Sequence, residues 1–136
     1  MQYLHVGNDR LKFRIWSVKL NRYYWNYAVN TDGDLVKWMS NHKEEDVGEK
    51  LIIEQHTGIY DRKHNPIYEG DILKDTRSNK IYQVCWVGCM ASFAMVLLDG
   101  EEKINPKSLY FANQSFGWFE IVGNIHTTLQ PPAKVD

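Results

Sequence analysis

No apolar run in the 136-residue chain approaches the roughly 20 residues a helix needs to cross a bilayer. The longest are of the size of Phe93–Leu98. No signal peptide opens the chain, so the expectation is a cytoplasmic protein without membrane contact. Net charge is almost absent: 16 basic and 17 acidic side chains leave −1, too little to draw the chain onto nucleic acid or membrane unless a local patch does so. Cysteine is scarce. Cys85 and Cys89 stand four apart in a strand-like stretch, where a regular strand rising about 3.3 Å per residue separates them by about 13 Å. That is too far for a disulfide unless Gly88 bends the chain, and the free thiols suit a reducing compartment. A CxxxC without a second pair also lacks structural-zinc spacing, and His5, His42, His56, His64 and His126 are scattered singly. Ser17, Ser92 and Ser115 lie in no nucleophile elbow. Helical periodicity is hard to find. These absences leave no catalytic residues, no metal and no cofactor to assign.

Aromatic side chains are plentiful, with 5 Trp, 8 Tyr and 5 Phe, more than a small core encloses easily. Alternation with period two dominates. Phe13 and Ile15 fall on one face of Lys12–Trp16, as do Tyr23, Trp25, Tyr27 and Val29 in the next segment; Asp32-Gly33 supplies a tight reversal before Leu35–Met39 returns. Ser40–Lys50 has one apolar residue in eleven and reads as a solvated loop or a short surface helix. Leu51–Gln55 is a further apolar run.

Asp71–Lys74, Lys80–Val87, Ala91–Leu98, Glu101–Ile104 and Trp118–Ile125 then read as five short strands, with a single helical turn over Ser108–Phe111 before the fifth. The fold class expected is mainly β: an N-terminal β-meander subdomain over 1–56 and a five-stranded SH3-like barrel over 57–126. A tail over 127–136 cannot continue a sheet through Pro131-Pro132 and is expected to be loosely held.

Three segments carry a family likeness. Lys12-Phe13-Arg14-Ile15-Trp16 is similar to a KFRxWD-like strand, with Ser17 where Asp is usual. Thr57-Gly58, Asp61-Arg62-Lys63 and Ile67-Tyr68-Glu69-Gly70-Asp71-Ile72 follow a YTGLKDKNGKEIYEGDIV-like pattern, with His64-Asn65-Pro66 replacing an Asn-Gly turn. Pro cannot take a positive φ, so that turn must be built differently. Glu120-Ile121-Val122-Gly123-Asn124-Ile125 is similar to EVIGNI. Together these signatures resemble the YopX family and span nearly the whole chain. The resemblance implies a phage or prophage origin, a β-rich fold and assembly as homo-oligomers, and it implies no established activity.

Physically the signatures read as architecture. Gly58, Gly70 and Gly123 stand beside strands, where a missing Cβ permits a turn, a bulge or a close approach. Tyr68, Glu69, Gly70 and Asp71 make a turn before an apolar strand, and Asp71 can bond local N–H groups. Asn124 completes the last signature. Glu69 and Asp71 form an i, i+2 carboxylate pair, preceded by Asp61 in a loop; such a pair could bind Mg²⁺ for a nuclease, although no third ligand or partner lysine stands at a recognised spacing.

One constellation stands above background. Arg10, Lys12, Arg14, Lys19 and Arg22 occur with no acidic residue from Arg10 to Thr31, and Trp16, Tyr23, Tyr24 and Trp25 are interleaved among them. Cations beside stacking rings are what a single-strand-binding surface requires. A bland reading competes: Lys12 and Arg14 as the solvent face of a strand that buries Phe13 and Ile15. The leading expectation is a non-enzymatic, self-assembling accessory protein that binds another macromolecule, an unidentified protein partner or single-stranded nucleic acid. The alternative is a nucleic-acid-binding protein using Lys12, Arg14, Trp16, Lys19, Arg22 and Tyr24, and a metal-dependent nuclease is a distant third.

Overall fold

A computed structural model describes residues 11–25, 27–37, 50–98, 107–108 and 117–127. Its regular structure there is strand, apart from one 3-10 turn at Gly88–Met90. In chain order the strands are β1 (Phe13–Ser17), β2 (Arg22–Tyr23), β3 (Tyr27–Val29), β4 (Leu35–Lys37), β5 (Leu51–Tyr60), β6 (Pro66–Tyr68), β7 (Asp71–Asp75), β8 (Ile81–Val87), β9 (Ser92–Leu97), β10 (Lys107–Ser108) and β11 (Phe119–Asn124).

The first sheet has the order β2-β1-β5-β6 and the second β10-β9-β8-β7-β11, while β3 and β4 form a separate hairpin. In the second sheet four strands follow one another and the last returns beside the first. That is the strand order of the SH3-like barrel expected from the sequence. The expected strand Glu101–Ile104 lies outside the described residues, as do 109–116 and most of the tail; the fourth described strand is Lys107–Ser108.

The N-terminal meander takes a different form from a single run over Tyr23–Val29. β2 ends at Tyr23, pairing only Trp16 with Tyr23 and Ser17 with Arg22, and the chain leaves the sheet after the Tyr24 N–H donates to the Ile15 carbonyl at 2.8 Å. β3 then pairs with β4 around a turn in which the Asn30 side chain accepts the N–H groups of Asp32 and Asp34. Ser17 is fully buried, and its hydroxyl accepts the Leu20 N–H at 3.1 Å, holding the turn from β1 to β2. An Asp carboxylate at that position would offer the same acceptor.

β5 is ten residues long and runs through the boundary expected between 56 and 57. Its first half pairs with β1 and its second half with β6. Ile59 and Ile67 from this hairpin pack with Leu73, Tyr82, Val84, Met95 and Phe119 of the second sheet, so the two halves share one core.

The Asp61–Pro66 connection fastens them further. Asp61 is buried; its Oδ1 accepts the Lys63 and Asn65 N–H groups, and its Oδ2 accepts the N–H of Ile121 on β11 at 3.1 Å. Arg62 donates its N–H to the Phe119 carbonyl, and Lys63 pairs with Glu120 at 2.6 Å. A loop of the first sheet thereby covers the outer edge of β11, which would otherwise present open backbone groups. The left-handed residue of this turn is His64, at φ 64, stacked on Tyr60; Pro66 opens β6 instead. At the other end of β11 a register shift between Ile121 and Gly123 leaves Val122 as an exposed bulge.

Asp61→Ala should strip three backbone N–H groups of their acceptor and uncouple β11 from the first sheet. We expect a loss of about 1–3 kcal/mol in urea unfolding, read as a lower midpoint at unchanged slope.

Candidate functional site

β5 places Glu54 and His56 on its inner face, opposite Arg14 of β1 and near the turn between β6 and β7. Glu54 is only 3% exposed, and three side chains meet it there. Arg14 Nε donates to Oε1 at 2.8 Å, the Tyr23 hydroxyl donates to the same oxygen at 2.8 Å, and His126 Nε2 lies 2.9 Å from Oε2. Arg14 Nη2 reaches Asp71 Oδ1 at 2.7 Å and donates to the Glu69 carbonyl at 3.1 Å. Its guanidinium lies between two rings, Tyr23 at 4.5 Å and Tyr68 at 4.7 Å. Trp16, buried, stacks on His126 with centroids 4.3 Å apart and planes 6° from parallel.

Burial is the largest influence on Asp71 and lifts its carboxyl above the ordinary carboxylate range, against the opposing pull of Arg14 and of the Tyr68 N–H that donates to Oδ2. With its folded pKa above the unfolded one, Asp71 favours folding fully only below its unfolded pKa, and that contribution disappears as pH rises through the folded pKa. Arg14 is the largest influence opposing that rise, so the charged form of Asp71 depends on it. The Arg14 guanidinium is itself held above its usual range: burial would lower it, and Asp71 and Glu54 outweigh that. Burial, then the bond to Glu54, pushes the Tyr23 hydroxyl far up, so it stays protonated and donating.

Gly70 completes the packing. At φ +84 it holds a conformation that favours glycine, and a Cβ built on it would run into the Glu54 carboxylate. Its N–H donates to the Val84 carbonyl, and its own carbonyl accepts the Ile125 N–H.

The three sequence signatures thus converge on one cluster. Arg14 and Trp16 come from the first, Tyr68 to Asp71 from the second, and His126 directly follows the third. Glu69 turns its carboxylate to the Gln55 N–H at 3.0 Å, and Asn124 accepts the N–H groups of His126 and Thr127. Gly58 lies in the irregular stretch of β5 between His56 and Tyr60. The carboxylates weighed as a magnesium site are separately engaged: Asp61 with backbone, Glu69 with Gln55 and Asp71 with Arg14. Among the described residues no three His, Cys, Asp or Glu side chains are grouped to hold a metal.

The basic, aromatic segment divides in two. Arg14 is engaged by two carboxylates and Trp16 is buried, so these two are turned into the fold. The bland reading of this strand holds for Lys12, which is exposed, and Ile15, which is buried, but Arg14 turns inward and Phe13 is 38% exposed. Lys12, Lys19 and Arg22 are exposed, and Arg22 lies over the Tyr24 ring at 5.9 Å. Arg10 falls outside the described residues. Where β2 ends and the chain leaves β1, an open cleft of about 170 Å³ is lined by Phe13, Arg14, Tyr23, Tyr24, Trp25 and Tyr27. Trp25 is 88% exposed. Sequence reading missed Glu54 and His126 as partners of Arg14; a lone acid within the apolar run LIIEQ was the available signal, because a buried charge demands a partner.

A family model described as YopX protein matches residues 12–130. Among solved structures, the crystal structure of protein EF1440 from Enterococcus faecalis is similar in fold, with a TM-score of 0.55 at 19% identity, covering 85% of this chain and 92% of that one. No curated protein matches the chain.

Arg14→Met should leave Glu54 and Asp71 without their cation and cost about 3–5 kcal/mol in urea unfolding. Adding Asp71→Asn should recover part of that loss, because the unpaired charge is what is expensive. Gly70→Ala should cost at least about 2 kcal/mol, from the conformational penalty together with the contact on Glu54. Gly33→Ala, at a similar φ with no atom near the added Cβ, should show the conformational part alone.

Proposed function

The chain belongs to the YopX family, and on that premise we propose that it is a phage or prophage accessory protein of the bacterial cytoplasm, non-enzymatic, which assembles with copies of itself and binds another macromolecule. One observation carries this reading. The described side chains best suited to acid–base work, Glu54, Asp71 and His126, are spent on one another, on Arg14 and on Tyr23 inside the fold. What the surface presents instead is large apolar area: Trp25, Trp86, Met90, Trp118 and Val122 are all more than 40% exposed. Aromatic and methionine side chains with their polar surroundings are the material of contact surfaces. Among the described residues no helix is long and apolar enough to cross a membrane.

A second reading, nucleic-acid binding, draws on the exposed cations Lys12, Lys19 and Arg22 beside the Tyr24 and Trp25 rings. It needs neither Arg14 nor Trp16.

Self-assembly has a direct test. Light scattering at micromolar concentration should give a mass several times the 16.0 kDa of one chain, and Trp86→Ser with Val122→Ser should lower it while the thermal melt of the fold persists. A monomer at all concentrations would refute assembly.

A further inference from the structure

We propose that the aromatic cleft beside Trp25 is a proline-binding site and that its occupant is the chain's own carboxyl-terminal segment around Pro131-Pro132. The inference stands apart from the assembly and macromolecule-binding reading and concerns a contact within one chain.

The lining selects the chemistry. Five of the seven side chains around the cleft are aromatic: Phe13, Tyr23, Tyr24, Trp25 and Tyr27. The charged residue among the seven, Arg14, is already held by Glu54 and Asp71, so an anion finds no uncommitted cation in the lining. The Tyr24 and Tyr27 rings stand 6.0 Å apart with planes inclined at 56°, an open angle rather than a flat stack. Proline-rich segments dock on surfaces of this kind. Their rings pack between aromatic faces, and a residue without an N–H brings no backbone donor that an apolar cleft would have to satisfy. The indole of Trp25, 88% exposed, adds a further ring and an N–H donor for a peptide carbonyl. At about 170 Å³ the cleft is smaller than the roughly 300–1,000 Å³ of small-molecule pockets and suits a few side chains of a peptide.

The course of the chain names the peptide. His126 stacks on Trp16, and its ring lies 6.1 Å from that of Tyr23, which lines the cleft. Thr127, bonded to Asn124, is where the described residues end, so the segment that follows starts beside the wall of the cleft. Its sequence is Thr128-Leu129-Gln130-Pro131-Pro132-Ala133, uncharged and holding the chain's one adjacent pair of prolines. From Thr127 to Pro131 the reach is roughly 12 Å at about 3.1 Å per residue of a polyproline helix. A segment tethered so closely meets the cleft at an effective concentration of about a millimolar, where even weak contacts hold it.

Acrylamide quenching of tryptophan emission in the full chain tests the contact. Pro131→Ser with Pro132→Ser should make the emission more readily quenched than in wild type. That increase should vanish in a Trp25→Phe background and be the same at high and low protein concentration. Trp25 is exposed and the prolines follow the last strand, so the thermal melts should be unchanged. A labelled peptide of residues 128–136 should bind the double-serine chain below about 1 mM, and wild type severalfold more weakly because its own segment competes. Adding Trp25→Ala to the double-serine chain should abolish that binding, as should serine at both prolines of the peptide. Quenching indifferent to the prolines, or a peptide that fails to bind by about 1 mM, overturns the proposal. A proline effect that grows with protein concentration assigns the segment to a neighbouring copy and overturns the contact within one chain; light scattering reads assembly separately.

Discussion

The guanidinium of Arg14 lies between two buried carboxylates, Glu54 and Asp71, held at 2.8 and 2.7 Å, and the meeting of the two sheets depends on that bridge. Glu54 belongs to β5 of the first sheet and Asp71 to β7 of the second, with the β6 hairpin between them. Two like charges so placed repel each other and each loses its hydration, so the arrangement survives only with a cation and a full set of donors. Tyr23, His126 and the Tyr68 N–H complete that set. The aromatic rings of Tyr23 and Tyr68 flank the guanidinium and exclude water, which strengthens the attraction inside the cluster.

The position of the family signatures follows from this. Gly70 has no Cβ because the Glu54 carboxylate occupies that space. Asp71 must lie beside it because its second oxygen fixes the turn through Tyr68 while its first holds Arg14. The last signature returns β11 alongside β7, and the turn after it, capped by Asn124, delivers His126 to Glu54. Segments separated by more than fifty residues are thus tied by a single electrostatic requirement.

Period-two alternation made the strands of the second sheet legible, and the punctuation between them gave the SH3-like order. β7, β8, β9 and β11 lie within a residue or two of their expected limits; β8 alternates around Tyr82 and Val84, while β7 is a short apolar run buried over Asp71–Leu73 and bounded by turns. The N-terminal half was less legible. Tyr23, Trp25, Tyr27 and Val29 alternate as one strand would, yet β2 ends at Tyr23 and Tyr27 pairs instead with Lys37 in a separate hairpin, a choice of partner that local pattern does not record. The boundary expected between 56 and 57 falls within β5, whose ends pair with β1 and with β6, and continuity of this kind has no local signature. The cluster itself was half legible: the glycine and aspartate of the turn read as architecture, but ion pairing across 40 residues of chain has no local signature.

Arg14 also lines the cleft beside Trp25, so one side chain borders both the buried cluster and the surface. A guanidinium already committed to two carboxylates has little attraction left for a phosphate; its contribution to the cleft is position. Bonds at Nε and Nη2 and the nearby Tyr23 and Tyr68 rings fix its place in the cleft lining, and a surface ordered beforehand loses less entropy on binding. The same strand therefore separates what its sequence interleaves: Arg14 and Trp16 face the cluster and hold the fold together, while Lys12 and Phe13 are exposed.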